Sequence, residues 1–145
     1  MKNLLNHYQK NSLRISLLTF EENLRQVQEW LDGRAENGIL YRRELTISAE
    51  KRKQASQAIR TALNLVEKLR NVFGLETVYE SAASMLQGDL AINWANLIDT
   101  QAGKLRRYGK VHPELAGILD SDIQNLAGIA LKLSSILGES QQEKT

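Results

Sequence analysis

The stretch from Ser48 to Phe73, SAEKRKQASQAIRTALNLVEKLRNVF, decides the fold class of this chain. Its apolar residues recur at alternating intervals of four and three, at Ala55, Ile59, Ala62, Val66, Leu69 and Phe73. This spacing places them in one stripe along an α-helix. Ser48 suits an N-cap and Gly74 a C-terminal cap, so the sequence predicts a helix of roughly 39 Å, at about 1.5 Å per residue.

Three further stretches carry helical patterns of comparable length. The first helix is predicted from Ser12 to Leu31, the third from Glu76 to Arg107 and the fourth from Pro113 to Gly138. We expect the third helix to be kinked near Gly88, because a glycine in a helix interior costs about 1 kcal/mol. The last residues, Glu139 to Thr145, are expected to form a disordered tail.

The first and fourth helices have regular apolar stripes. In the first helix the stripe is Leu13, Leu17, Phe20, Leu24, Val27 and Leu31. In the fourth it is Leu115, Leu119, Leu126, Ile129, Leu133 and Ile136, widened by Ile118, Ile123 and Leu137. Ser12 is the expected N-cap of the first helix, and a capping box that starts at Thr19 is the alternative start.

Four such helices predict an all-α, antiparallel up-down-up-down four-helix bundle, a single domain of residues 1–138. The one long connection, Asp32 to Ile47, contains an Asn37-Gly38 turn signal, and connections of this length are often functional or mobile. An alternative is a helical turn that extends the second helix backward through Leu45. We find no convincing strand in the sequence.

Composition sets the broad class of the protein. A chain of 145 residues is long enough to bury a core, and 42% apolar with 25% charged residues is ordinary for a globular domain. The absence of cysteine excludes disulfides and thiolate metal sites. The N-terminal residues lack the apolar run of a signal peptide, and no stretch approaches the ~20 apolar residues of a membrane span. We therefore expect a cytoplasmic protein.

Motifs for enzyme and metal chemistry are absent from the sequence. His7 and His112 are the two histidines, and neither has the paired spacing of a metal site or a supported mid-helix position for phosphotransfer. There is no glycine-rich phosphate loop and no Ser–His–Asp or Cys–His constellation. We predict no catalytic residue, no metal and no cofactor.

Nine basic residues are candidate nucleic-acid contacts: Arg42, Arg43, Lys51, Arg52, Lys53, Lys104, Arg106, Arg107 and Lys110. In an antiparallel bundle the start of the second helix and the end of the third lie at the same end, so these residues are predicted to form one basic patch. Tyr41 and Tyr108 lie among them and suit stacking on bases. The alternative is an ordinary solvated surface, since the net charge is only +2.

The segment from Arg107 to His112, RYGKVH, has the spacing Arg-x4-His. It resembles the signature of the all-α HEPN ribonucleases, which place an arginine and a histidine near a helix start at a dimer interface. The resemblance covers these six residues and implies a phosphate-stabilising role for Arg107 and an acid–base role for His112. Tyr108 stands where that signature usually has a polar residue, and Gly109 and Pro113 favour a loop over a shared helix.

Five apolar residues lie beside the main stripes and are candidates for an oligomer interface: Ile15, Leu18, Trp30, Leu63 and Leu65. The alternative is that they widen the core face. The first functional prediction is a non-enzymatic protein–protein interaction module, an adaptor or regulatory subunit that forms a homodimer. The second is a nucleic-acid-binding accessory protein and the third a HEPN-like ribonuclease. No membrane partner is predicted, because no helix pairs a strongly basic face with a bulky apolar one.

Overall fold

The computed structural model describes the backbone of residues 4–143 and the side chains of residues 4–138. The chain is 73% helical, and its described part contains five α-helices and one short β-hairpin. Contacts divide the chain into two units, Met1–Thr77 and Val78–Thr145, which we call the N-terminal unit and the C-terminal unit. The helical class is confirmed, while the single domain of residues 1–138 stays a prediction.

The N-terminal unit is a pair of 25-residue helices, α1 (His7–Leu31) and α2 (Ala49–Phe73). At one end, the guanidinium of Arg52 in α2 donates a hydrogen bond to the carbonyl of Leu31. At the other end, Lys10 Nζ lies 3.8 Å from where a Cβ of Gly74 would be. The two helices are therefore antiparallel, and Leu31 and Ile59 are buried between them.

A β-hairpin connects these two helices. Strand β1 (Ala35–Asn37) pairs antiparallel with β2 (Arg42–Glu44), with Ala35 opposite Glu44. The expectations of no strand, and of a helical turn through Leu45, were both wrong. Strands of three residues with the sequences AEN and RRE are too short and too polar to show the alternation by which strands are recognised.

The predicted ends of α2 are confirmed. Ser48 Oγ accepts a hydrogen bond from the Lys51 N–H at 3.2 Å, and Gly74 has the left-handed conformation with φ 59°. The Leu75 N–H then donates to the Arg70 carbonyl at 2.9 Å, and the Leu75 side chain is buried. This is the hydrogen bond of a Schellman cap, in which the residue after the glycine packs back on the helix.

The start of α1 was predicted five residues too late. Asn6 Oδ1 accepts from the Gln9 N–H at 2.8 Å, and Gln9 Oε1 accepts from the Asn6 N–H at 3.0 Å. This reciprocal pair is a capping box built on asparagine rather than serine or threonine. Ser12 and Thr19 lie inside the helix, so neither acts as its cap.

The C-terminal unit is an antiparallel helix pair with a short bridge between the helices. Its elements are α3 (Ala82–Ile98), α4 (Ala102–Leu105), a 3-10 turn (Arg106–Tyr108) and α5 (Leu115–Glu143). Gln87 Nε2, early in α3, donates to the Ser134 carbonyl, late in α5, at 2.7 Å. Asp120 Oδ1, early in α5, accepts from the Ala102 N–H at 2.8 Å. The two bonds fix α5 antiparallel to α3.

The third predicted helix is broken at a different place than expected. It starts at Ala82, capped by Ser81, and passes through Gly88 without interruption. The predicted kink near Gly88 was therefore wrong, because the cost of one interior glycine is small beside the packing of the whole helix. The break comes at residues 99–101, where Thr100 Oγ1 donates to the Leu97 carbonyl at 2.6 Å.

Helix α5 is displaced at both ends relative to the prediction. It begins two residues after Pro113 and continues past Gly138 to Glu143. Of the predicted disordered tail, residues 139–143 are therefore helical in their backbone, and residues 144–145 lie outside the described part. None of the helices in the described part is long and apolar enough to cross a membrane.

Two glycine substitutions test these helix assignments. We predict that Gly74→Ala lowers the free energy of unfolding by about 1–2 kcal/mol, because alanine resists the left-handed conformation at this cap. Gly88→Ala is the matched control and should raise it by up to about 1 kcal/mol, since Gly88 lies in a helix with nothing within 4 Å of an added Cβ. Urea unfolding followed by circular dichroism measures both. Destabilisation by Gly88→Ala would contradict the unbroken α3.

Candidate functional site

Helix α5 has one face buried by small residues. Ile123, Ala127 and Ala130 are only 8%, 2% and 6% exposed, and their spacing of four and three places them on one side of the helix. This side packs within the C-terminal unit, where α5 contacts α3 along its length. Alanine at the contact lets the two helix backbones approach closely.

A second apolar face of α5 is left uncovered. Leu126, Ile129, Leu133 and Ile136 are 50%, 52%, 45% and 44% exposed. At 3.6 residues per turn they form a stripe turned by roughly 100° from the buried face. We call these four residues the α5 stripe. The sequence predicted this stripe as the core of the fourth helix, whereas the described contacts bury its neighbours Ile123, Ala127 and Ala130 instead.

The surroundings of the α5 stripe are nearly uncharged. Lys132 is the one charged residue between Ile123 and Gly138. A contiguous apolar surface with so little charge is typical of a protein–protein contact. Leu131 provides a useful reference in the same helix, because it is 53% exposed but lies on the opposite side from the stripe.

The five residues predicted as an oligomer interface do not form one surface. Ile15 and Leu65 are exposed on α1 and α2, whereas Leu18, Leu63 and Trp30 are half-buried. Within the N-terminal unit Trp30 supports the hairpin, and Leu63 lines a cleft with Ile59 between α1 and α2. An interface made of all five is therefore wrong as a single patch, although Ile15 and Leu65 are accessible.

The base of the β-hairpin is held by charges. Arg34 pairs with Glu29 at 2.8 Å and with Glu36 at 2.7 Å, and its guanidinium lies 4.9 Å from the ring centre of Trp30. Its hydrogen bond with Glu36 raises the pKa of Arg34 above the ordinary arginine value, so this cation persists throughout the working pH range. Glu36 also faces Arg43 at 3.6 Å. These contacts fix the hairpin to the end of α1.

The tip of the β-hairpin carries two fully exposed aliphatic residues. The Gly38 N–H donates to the Tyr41 carbonyl at 2.8 Å, which leaves Ile39 and Leu40 as a two-residue loop. Ile39 is 101% exposed and Leu40 is 95% exposed. A Cβ on Gly38 would lie 2.6 Å from the Tyr41 ring, so the ring lies directly against the glycine backbone. The sequence analysis did not single out these two residues; the adjacent Asn37-Gly38 signal was their only indication.

The predicted basic contacts divide between the units. Arg42 and Arg43 lie on β2, and Lys51 and Lys53 are exposed in the first turns of α2. Arg52 is half-buried and bonded to a backbone carbonyl, so its role is structural rather than that of a free contact. The remaining four, Lys104, Arg106, Arg107 and Lys110, are exposed in the C-terminal unit. One continuous basic patch stays a prediction.

The Arg-x4-His segment lies in the 3-10 turn and the loop after it, as its glycine and proline predicted. Arg107 interacts with Asp99, at 3.6 Å from Oδ2, and its guanidinium lies 5.3 Å from the Tyr108 ring centre. His112 Nδ1 accepts from the Glu114 N–H at 3.1 Å. Both side chains thus have local partners other than each other. In residues 4–138 no group of three or more histidine and carboxylate side chains is placed to hold a metal ion.

Comparison of the chain with protein-family models, with curated proteins and with solved structures found no match. The functional argument therefore rests on the geometry of the described residues.

The geometry of Arg107 and His112 leads to a prediction about RNA cleavage. Because Arg107 is engaged by Asp99 and His112 by the backbone of Glu114, we expect no cleavage that depends on His112. A gel assay with labelled single-stranded RNA, comparing the wild type with His112→Ala and Arg107→Ala, measures this. Cleavage that both substitutions abolish, with the circular dichroism spectrum unchanged, would contradict the expectation and support the ribonuclease hypothesis.

Proposed function

We propose that this chain is a non-enzymatic protein-interaction module that works by helix packing, and that the partner of its α5 stripe is a second copy of the chain. The exposure of Leu126, Ile129, Leu133 and Ile136 carries this proposal. Four large aliphatic side chains at helical spacing are the composition of a helix–helix contact. An adaptor or regulatory subunit would use this assembly as its scaffold, in the cytoplasm as the sequence predicts.

The stripe is complementary to itself in an antiparallel arrangement. A two-fold axis beside Leu131 would place Ile129 of one copy next to Leu133 of the other, and Leu126 next to Ile136. Each pair matches an aliphatic residue with another of similar size, and a two-fold contact needs only one patch of surface per chain. The low charge of this part of α5 avoids like-charge repulsion across the axis.

The energy available is enough to control association. Eight half-exposed aliphatic side chains, four from each copy, gain about 1 kcal/mol each on full burial. The sum of roughly 8 kcal/mol is of the same order as the cost of joining two chains, about 4–15 kcal/mol. The balance supports a dimer that dissociates on dilution, and one charge placed within the stripe is sufficient to disrupt it.

The predicted up-down-up-down four-helix bundle is the other way to cover the same stripe. If one chain closed such a bundle by itself, the stripe would be buried without a second copy. The two arrangements differ in molecular mass in solution, which separates them directly.

Two matched leucine substitutions in α5 test the proposal. We expect the wild type to be a dimer and Leu133→Glu to weaken dimerisation at least about 100-fold, since burying an unpaired charge costs several kcal/mol. Leu131→Glu makes the same chemical change on the opposite side of the helix and should leave the dimer within about threefold of the wild type. Sedimentation velocity over a concentration series measures all three.

Each alternative outcome has a clear meaning. A wild type that remains monomeric at high micromolar concentration would contradict self-association and favour the closed bundle. Equal effects of the two substitutions would contradict the assignment of the contact to the α5 stripe. Circular dichroism of both variants confirms that the helices persist.

A further inference from the structure

The tip of the β-hairpin is not explained by the folding of the hairpin. Two-residue hairpin loops favour glycine, asparagine and aspartate at positions with positive φ. Here the loop is Ile39–Leu40, and no non-glycine residue in the described part has positive φ. Both side chains are fully in water. Neither turn chemistry nor burial within the N-terminal unit accounts for two large aliphatic residues at this place.

The hairpin is also built to hold its tip in position. Arg34, Glu36 and Arg43 link the two strands and the end of α1 by ion pairs of 2.7–3.6 Å. The Tyr41 ring lies against Gly38 on one side and within 4.8 Å of the Arg43 guanidinium. An aliphatic pair on a braced strand pair is arranged to enter something, because its orientation is fixed before contact.

The charges beside the tip indicate the chemistry of its partner. Between Arg34 and Lys53 there are six basic residues and three acidic ones. Arg42 and Arg43 follow the tip directly, and Lys51 and Lys53 are exposed at the start of α2. A partner that suits this surface has anionic groups outside and an apolar, stackable interior. A nucleic-acid duplex has this arrangement, with phosphates outside and stacked bases inside.

We propose that the β-hairpin binds duplex DNA in the minor groove and inserts Ile39 and Leu40 as a wedge between base pairs. Aliphatic side chains on minor-groove proteins unstack base steps and kink the duplex in this way. Arg42 and Arg43 contact the phosphates beside the inserted tip. Tyr41, paired with Arg43, supplies a flat surface against an exposed base. The role is separate from the assembly on α5 and does not depend on it.

The proposal separates two contributions to binding. The arginines neutralise phosphates and set the salt dependence, whereas the aliphatic pair contributes the unstacking and a salt-independent part of the affinity. A membrane of anionic lipid also combines surface charge with an apolar interior, but it offers no stacked step for Tyr41 and Arg43. The test therefore includes vesicles as a competing partner.

The experiment uses the full chain and a fluorescein-labelled DNA duplex that contains 2-aminopurine at its central step. Anisotropy is measured over a range of salt, and 2-aminopurine fluorescence reports unstacking. The tip variant Ile39→Ser/Leu40→Ser should bind about tenfold more weakly, abolish the fluorescence increase and leave the salt slope unchanged. Arg42→Gln/Arg43→Gln should reduce the salt slope by about 2, one unit for each phosphate contact.

A matched control addresses charge alone. Lys68→Gln/Arg70→Gln removes the same charge from the opposite end of α2 and should bind as the wild type does. Equal loss in this control and in Arg42→Gln/Arg43→Gln would overturn the site. Unchanged binding by the tip variant, no binding to DNA at low salt, or stronger binding to phosphatidylserine vesicles than to DNA would overturn the wedge. Since Ile39 and Leu40 make no buried contact, circular dichroism should show the tip variant folded.

Discussion

The choice of which α5 face turns toward α3 determines the rest of the C-terminal unit. The Gln87–Ser134 hydrogen bond and the closely packed alanines at positions 127 and 130 fix that face. A helix pair covers one face of each helix, so this choice leaves the larger aliphatic residues of the α5 stripe outward. The surface available for assembly is therefore a consequence of close packing between small residues.

Periodicity predicted the helices but not which stripe is covered. The caps Ser48 and Gly74 are local signals, and α2 was accordingly predicted at both ends. In α5 the stripe with the largest side chains was expected to be the core, yet the alanine-rich face is buried, because close backbone approach depends on a neighbour that periodicity does not identify. The hairpin escaped prediction since its strands are three polar residues each.

The candidate sites were predictable in part. The sequence named Arg42, Arg43 and Lys51 correctly as exposed basic residues, but it could not show that Arg52 is bonded to the Leu31 carbonyl or that Arg107 interacts with Asp99. These roles depend on contacts between segments far apart in the chain or on the geometry of a turn. Exposure at the hairpin tip likewise depends on pairing of the strands, which precedes any inference about Ile39 and Leu40.

Cross-linking at single cysteines tests most directly whether α5 meets a second copy, and the natural chain contains no cysteine to interfere. Ile129→Cys places a thiol in the α5 stripe, and Leu131→Cys places one on the opposite side of the same helix. With a short bis-maleimide, the proposed dimer predicts rapid formation of covalent dimers at position 129 and little at position 131. Equal cross-linking at both positions, or none at position 129, would contradict packing of the stripe against its copy.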